Sequence, residues 1–90
     1  MTTRWFVYMV RCADDTLYTG VTTDIERRLH EHNGSARGAR YTRSRRPVTM
    51  VWQEESENRA AACRREYEVR HYDRLKKLDL LAEFGQNTNR

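Results

Sequence analysis

Apolar residues along this chain fall into short runs with two different periods. Trp5-Phe6-Val7-Tyr8-Met9-Val10 is β-branched or aromatic at nearly every position, the pattern of a strand covered on both faces. Ala13-Asp14-Asp15-Thr16 supplies turn chemistry, and Leu17-Tyr18-Thr19-Gly20-Val21 reads as the returning strand of an antiparallel hairpin. Gly20 inside that strand predicts a bulge or a close backbone approach. The period then changes. Thr23-Asp24-Ile25-Glu26 is a capping box that opens a helix to about Asn33-Gly34, with Ile25 and Leu29 on its core stripe. Residues 34–47 form a loop rich in Gly, Ser and Arg and closed by Pro47. Val48-Thr49-Met50-Val51-Trp52 alternates as a third strand. Ser56 is the expected N-cap of a helix that starts at Glu57 and ends near His71. Asp73 caps a last helix whose apolar face holds Leu75, Leu78, Leu81 and Phe84. Gly85 is its expected stop, and residues 86–90 should fray.

The predicted order is β-β-α-β-α-α, an α+β fold with a small three-stranded antiparallel sheet packed with helices. Ninety residues support one core, so residues 1–85 are read as a single domain. Only 38% of positions are apolar, and two tryptophans, five tyrosines and two phenylalanines must supply much of the core volume. No apolar stretch approaches the length of a membrane span, and no secretory signal is visible around the short run between Arg4 and Arg11. Cys12 and Cys63 lie far apart without a CxxC pattern, which reads as two reduced thiols in a cytoplasmic protein.

Charge narrows the partners. Lysine plus arginine number 17 against 13 acidic residues, and all but Lys76 and Lys77 are arginine, the residue that grips phosphate in a bidentate fork. Five of them fall in the ten residues Arg37-Gly38-Ala39-Arg40-Tyr41-Thr42-Arg43-Ser44-Arg45-Arg46, interleaved with one aromatic and hydroxyls. Such a segment suits contact with a phosphate backbone and carries little sequence information. A solvated loop is the plainer alternative.

Three further features could carry chemistry. Tyr8 and Tyr18 share a sheet face only if the hairpin connection has three or five residues or contains a bulge; otherwise they are cross-strand or core tyrosines. Arg28 and His32, at i and i+4, lie on one helix face next to the apolar stripe. His30 reads as surface, and His30, His32, His71 and the two cysteines match no zinc spacing. Glu66 falls in one narrow arc with Ala62 and Val69, so a carboxylate sits on a stripe that should be buried and needs an arginine or a metal ion as partner.

Taken in order, Val7-Tyr8, then Tyr18-Thr19-Gly20, Arg28 eight residues beyond the glycine, His32 and the later Glu66 resemble the GIY-YIG nuclease domain over roughly residues 4–84. The Tyr-Thr-Gly, Asp-x-Glu-Arg-Arg and Gly-Ala-x-Tyr-Thr segments are similar to those of small single-domain bacterial members. Two departures stand out: Phe6 occupies the position of the family's first glycine, and residues 75–81 lack the asparagine that larger relatives carry after the glutamate. The resemblance implies hydrolysis of nucleic-acid phosphodiesters, in DNA before RNA, with one divalent ion, Mg²⁺ or Mn²⁺, held by Glu66. It implies that Arg28 holds the non-bridging oxygens and that Tyr8 takes a proton from the attacking water, its pKa lowered by the metal and Arg28. Tyr18 would bond the water or the phosphate, with Gly20 allowing close approach and His32 assisting. Arg37, Arg40, Tyr41, Arg43, Arg45 and Arg46 would hold substrate, and a role in DNA repair would follow. The alternative is a nucleic-acid-binding module with weak or lost cleavage. Oligomeric state is not legible.

Overall fold

A computed structural model describes residues 3–34 and 37–88, with side chains to residue 85. The elements are β1 (Trp5–Arg11), β2 (Leu17–Thr22), α1 (Ile25–Gly34), α2 (Arg40–Arg43), β3 (Thr49–Ser56), α3 (Arg59–Arg70) and α4 (Arg74–Thr88). The three strands form one antiparallel sheet in the order β2-β1-β3. The α+β class and the small three-stranded sheet are as expected from the pattern.

β1 is the central strand, and its lack of alternation follows from that position, because both of its faces are covered. Val7 and Met9 join Trp52, Ala62 and Val69 on one face, where Leu80, Leu81 and Phe84 pack against them. Tyr8 and Val10 point the other way, with Cys12 and Val48, towards Ile25 and Leu29 of α1. The sheet therefore lies between a layer of α1 and α2 and a layer of α3 and α4. Each fully buried aliphatic side chain here contributes roughly 1.5–3 kcal/mol of transfer free energy.

Several local expectations are corrected. α1 is capped by Asp24 rather than Thr23: the Asp24 carboxylate accepts the Arg27 N–H at 3.0 Å, and the Asp24 carbonyl accepts the Arg28 N–H. The expected loop at 34–47 contains the short helix α2. β3 continues to Ser56, so Ser56 is not a cap. Asn58 takes that role, its side-chain oxygen accepting the Ala61 N–H at 2.9 Å. Asp73 does cap α4, through the Lys76 N–H at 2.9 Å, but the helix passes Gly85 and reaches Thr88. Of the tail expected to fray, residues 89 and 90 lie outside the described residues.

Two corrections have a packing cause. The register between β1 and β3 shifts after Met9, which pairs with Trp52 while Val10 pairs with Met50. This bulge puts Val48 and Met50 on the Tyr8 face and Trp52 on the opposite one, although all three alternate in sequence. On α4, Leu75 and Leu78 are exposed, and the stripe facing the sheet is Leu80, Leu81 and Phe84. The packed stripe is thus rotated from the expected phase: Leu81 and Phe84 stay on it, Leu80 joins them, and Leu75 and Leu78 leave it.

Asn33 ties the end of α1 to the start of β3. Its side chain donates to the Val48 carbonyl at 3.0 Å and accepts the Val48 N–H at 2.6 Å. Val48 is buried, so neither backbone group can turn to water instead. Asn33→Ala should destabilise the fold by about 1–3 kcal/mol in urea denaturation; an unchanged midpoint would show that these two bonds are replaceable.

Candidate active site

The hairpin connection, residues 12–16, has the odd length that brings Tyr8 and Tyr18 to one face. Tyr8 lies opposite Gly20 and Val10 opposite Tyr18, so the two tyrosines are diagonal neighbours on the side of α1. The role of Gly20 is more specific than a close approach by substrate. A Cβ there would lie 2.6 Å from Tyr8 Oη and 2.8 Å from Tyr8 Cζ, so the glycine clears the space that the phenol occupies.

Tyr8 is 1% exposed, and its hydroxyl is held by two residues of α1. Arg28 Nε donates to Tyr8 Oη at 3.4 Å, and His32 Nε2 lies 2.8 Å from the same oxygen. On its far side, His32 Nδ1 lies 2.8 Å from Thr42 Oγ1, which also donates to the Ala39 carbonyl at 3.0 Å. A threonine hydroxyl has one proton. With that proton on Ala39, Thr42 accepts from His32 Nδ1–H, which leaves Nε2 as the acceptor. Tyr8 O–H therefore donates to His32. The order of donation is Tyr8 to His32 to Thr42 to the Ala39 carbonyl.

Burial dominates the titration of this chain. It pushes the Tyr8 phenol up to about 12, against the lowering effect of the Arg28 hydrogen bond and charge. This reverses the direction expected for Tyr8: without a metal, one guanidinium does not offset desolvation. Burial likewise pushes His32 down to about 4, helped by the Arg28 charge. Arg28 itself is raised, since burial lowers it but its hydrogen bonds to Tyr8 and Glu31 outweigh that. Its Nη1 pairs with Glu31 Oε1 at 3.0 Å and donates to the Arg37 carbonyl at 2.7 Å.

Glu66 comes from the other layer. Its side chain is 16% exposed and meets Arg70 Nη1 at 3.4 Å, an i,i+4 pair with a largely exposed arginine. A pocket of about 520 Å³ along edge strand β2 is lined by Tyr8, Tyr18, Gly20, Arg28, Tyr41 and Glu66 together with further residues of both layers. His32 is fully buried behind Tyr8. The anomalous carboxylate on the helix stripe thus faces a pocket and not the core.

The arginine segment divides. Arg45 Nε donates to Asp14 Oδ2 at 3.0 Å, and its guanidinium covers Tyr41, which stacks on Tyr18. Arg46 donates to the His32 and Glu31 carbonyls at the end of α1. Arg37, Arg40 and Arg43 are exposed. Gly38 lets the segment close on α1, since a Cβ there would sit 2.7 Å from the Glu31 carbonyl oxygen. Thr42, Glu31 and Lys77 were not singled out from the sequence. A threonine in an arginine-rich stretch has no local mark of burial, whereas the acid three residues after Arg28 was a usable signal.

A sequence model described as the GIY-YIG catalytic domain matches residues 4–78. A UPF0213 protein of Desulfotalea psychrophila is 56% identical over 77 residues, covering 86% of this chain and 70% of that protein. One from Haloquadratum walsbyi is 51% identical over 84 residues, covering 93% and 92%. The solution NMR structure of a UPF0213 protein from Bacillus halodurans superposes with a TM-score of 0.59 at 41% identity, covering 91% of this chain and 86% of that one.

Two outcomes follow. Gly20→Ala should cost about 1–3 kcal/mol by overpacking against Tyr8, whose ring is backed by α1 and cannot retreat; a midpoint equal to wild type in urea would contradict this. For pH, unfolded His32 titrates near 6.5 and native His32 near 4. Between those values the unfolded chain takes up a proton that the native state refuses, so stability falls as pH drops through the window. The wild-type urea midpoint should fall more steeply from pH 6.5 to 4 than that of His32→Gln, and parallel profiles would refute the assignment.

Proposed function

The chain belongs to the GIY-YIG family, and on that premise we propose that it is a metal-dependent endonuclease cleaving phosphodiester bonds in DNA. The observation that carries this is the convergence on one pocket of Tyr8 and Tyr18 from the sheet, Arg28 from α1 and Glu66 from α3.

The donor set fits a hard divalent ion such as Mg²⁺. Glu66 offers a single carboxylate at the pocket wall, and its ion pair to exposed Arg70 is long enough to yield to a stronger partner. Mg²⁺ commonly takes one or two carboxylates and fills its other positions with waters and phosphate oxygens. Bound there, the ion would polarise the phosphate and stabilise the leaving oxygen. Arg28, already oriented by Glu31, would hold the non-bridging oxygens on which charge builds.

The raised pKa of Tyr8 favours a relay over a standing phenolate. As water attacks phosphorus, its proton passes to Tyr8 Oη while the Tyr8 proton passes to His32 Nε2, the acceptor left open by the Thr42 hydrogen bond. Water oxygen bonds to phosphorus, the bond to the leaving oxygen breaks and that oxygen takes a proton from solvent, and the imidazolium later returns its own proton to solvent through Tyr8. Negative charge on the substrate favours that imidazolium. Tyr18, buttressed by Tyr41 and Arg45, would contact the water or the phosphate, and exposed Arg37, Arg40 and Arg43 would hold flanking backbone.

Purified protein should convert labelled duplex, single-stranded or branched DNA to products with Mg²⁺ and not with chelator. Arg28→Ala, Glu66→Ala and Tyr8→Phe should each slow cleavage by about 10²–10³-fold. Wild-type rates in the Arg28 or Glu66 variants would sink the assignment. Binding without metal-dependent products in all three substrates would favour a nucleic-acid-binding module instead.

A further inference from the structure

Two polar groups on the α3/α4 side of the pocket have no internal explanation. Thr19 pairs with Met9 across the hairpin and so faces the layer of α3 and α4. It is 6% exposed, and its Oγ1 is buried without a hydrogen-bond partner among the described residues. A buried hydroxyl left unpaired is unfavourable, and a valine of the same shape would avoid that. Lys77 precedes Leu80, Leu81 and Phe84 at i+3, i+4 and i+7, on the stripe that α4 turns to the sheet. It is half-buried between exposed Lys76 and Leu78, yet its ammonium has no ion pair among the described residues. Both residues line the same pocket as Arg28 and Glu66.

We propose that Thr19 and Lys77 form a second phosphate-binding subsite, which takes a phosphate next to the scissile one on the cleaved strand. The chemistry is that of an anion site: a hydroxyl with no internal acceptor, on a residue that lines the pocket, and an ammonium with no ion pair among the described residues, on the wall facing Arg28. Room for a second phosphate exists. The pocket follows β2 from Leu17 to Val21, a rise of about 13 Å at ~3.3 Å per residue, longer than one phosphate group. Arg28 and the Glu66 ion serve the scissile phosphate, so the cation contributed by α4 is left for its neighbour. The subsite also accounts for the placement of a lysine on a core-facing stripe, where leucine would add apolar burial.

This inference rests on the nuclease reading for the identity of its ligand, and its test does not depend on cleavage. A fluorescently labelled short DNA duplex is titrated with protein in chelator at several salt concentrations and followed by anisotropy. Lys77→Met should weaken binding about three- to tenfold and make the log–log salt dependence shallower by about one, as expected for one lost phosphate contact. Lys77→Arg should restore both. Thr19→Val should weaken binding without changing the slope, while melting at or above the wild-type temperature because no internal bond is lost. Unchanged affinity and slope in Lys77→Met overturn the subsite. So does a lowered melting temperature with normal binding in Thr19→Val, which would reveal an ordinary structural hydroxyl. Variants that match wild type in chelator and lose affinity only with Mg²⁺ assign the pair to the metal and overturn the phosphate role. Wild-type protein that shows the Lys77 effect yet cuts no DNA refutes the nuclease reading alone.

Discussion

A phenol hydroxyl buried on the central strand has to be hydrogen-bonded, and much of this molecule is arranged around that requirement. Tyr8 is enclosed because β1 is covered on both faces, so its oxygen is satisfied mainly from within the fold and meets solvent only at the pocket wall. Arg28 and His32, one turn apart on α1, provide the partners and thereby set the rotation of that helix against the sheet. His32 in turn needs a partner for its second nitrogen, which comes from Thr42 on α2. Arg46 then holds the carbonyls at the end of α1, and Gly38 permits the close approach. The arginine-rich segment is therefore partly architecture, wrapped around one hydroxyl group.

The two helical layers differ in electrical character where they meet at β2. On the α1 side, desolvation keeps both Tyr8 and His32 neutral near neutral pH, and the single charge of Arg28 is balanced by Glu31. On the α3 side, Glu66, Arg70 and Lys77 bring charge to the pocket wall. On the proposed nuclease reading, a neutral relay behind a phenol and a charged wall opposite it would divide the needs of phosphodiester hydrolysis, proton transfer on one side and phosphate and metal binding on the other. Edge strand β2 makes this possible, because residues of both layers border it along the pocket.

The larger features were legible because they depend on local physics. Strand and helix periods separated the elements, Asp73 capped the last helix as expected, and an odd hairpin connection was recognised as the condition for Tyr8 and Tyr18 to share a face. Cap positions moved by one or two residues because Thr22, Thr23 and Asp24, and Ser56 and Asn58, offer competing side-chain acceptors. The misplaced carboxylate of Glu66 was visible from helical phase alone, since Ala62 and Val69 flank it on one arc.

Composition and period thus determined that this chain forms a sandwiched three-stranded sheet with an aromatic hairpin, a cationic helix and an out-of-place acid. Tertiary structure decided what each of these faces. The bulge after Met9 reassigned Trp52 to the other core, and the rotation of α4 exposed Leu75 and Leu78 while turning Lys77 to the pocket. The proton order from Tyr8 to His32 exists only because Thr42 spends its hydrogen on Ala39. Each of these depends on contacts between residues distant in sequence, and burial by such contacts moved the Tyr8 pKa up where local charge alone had pointed down.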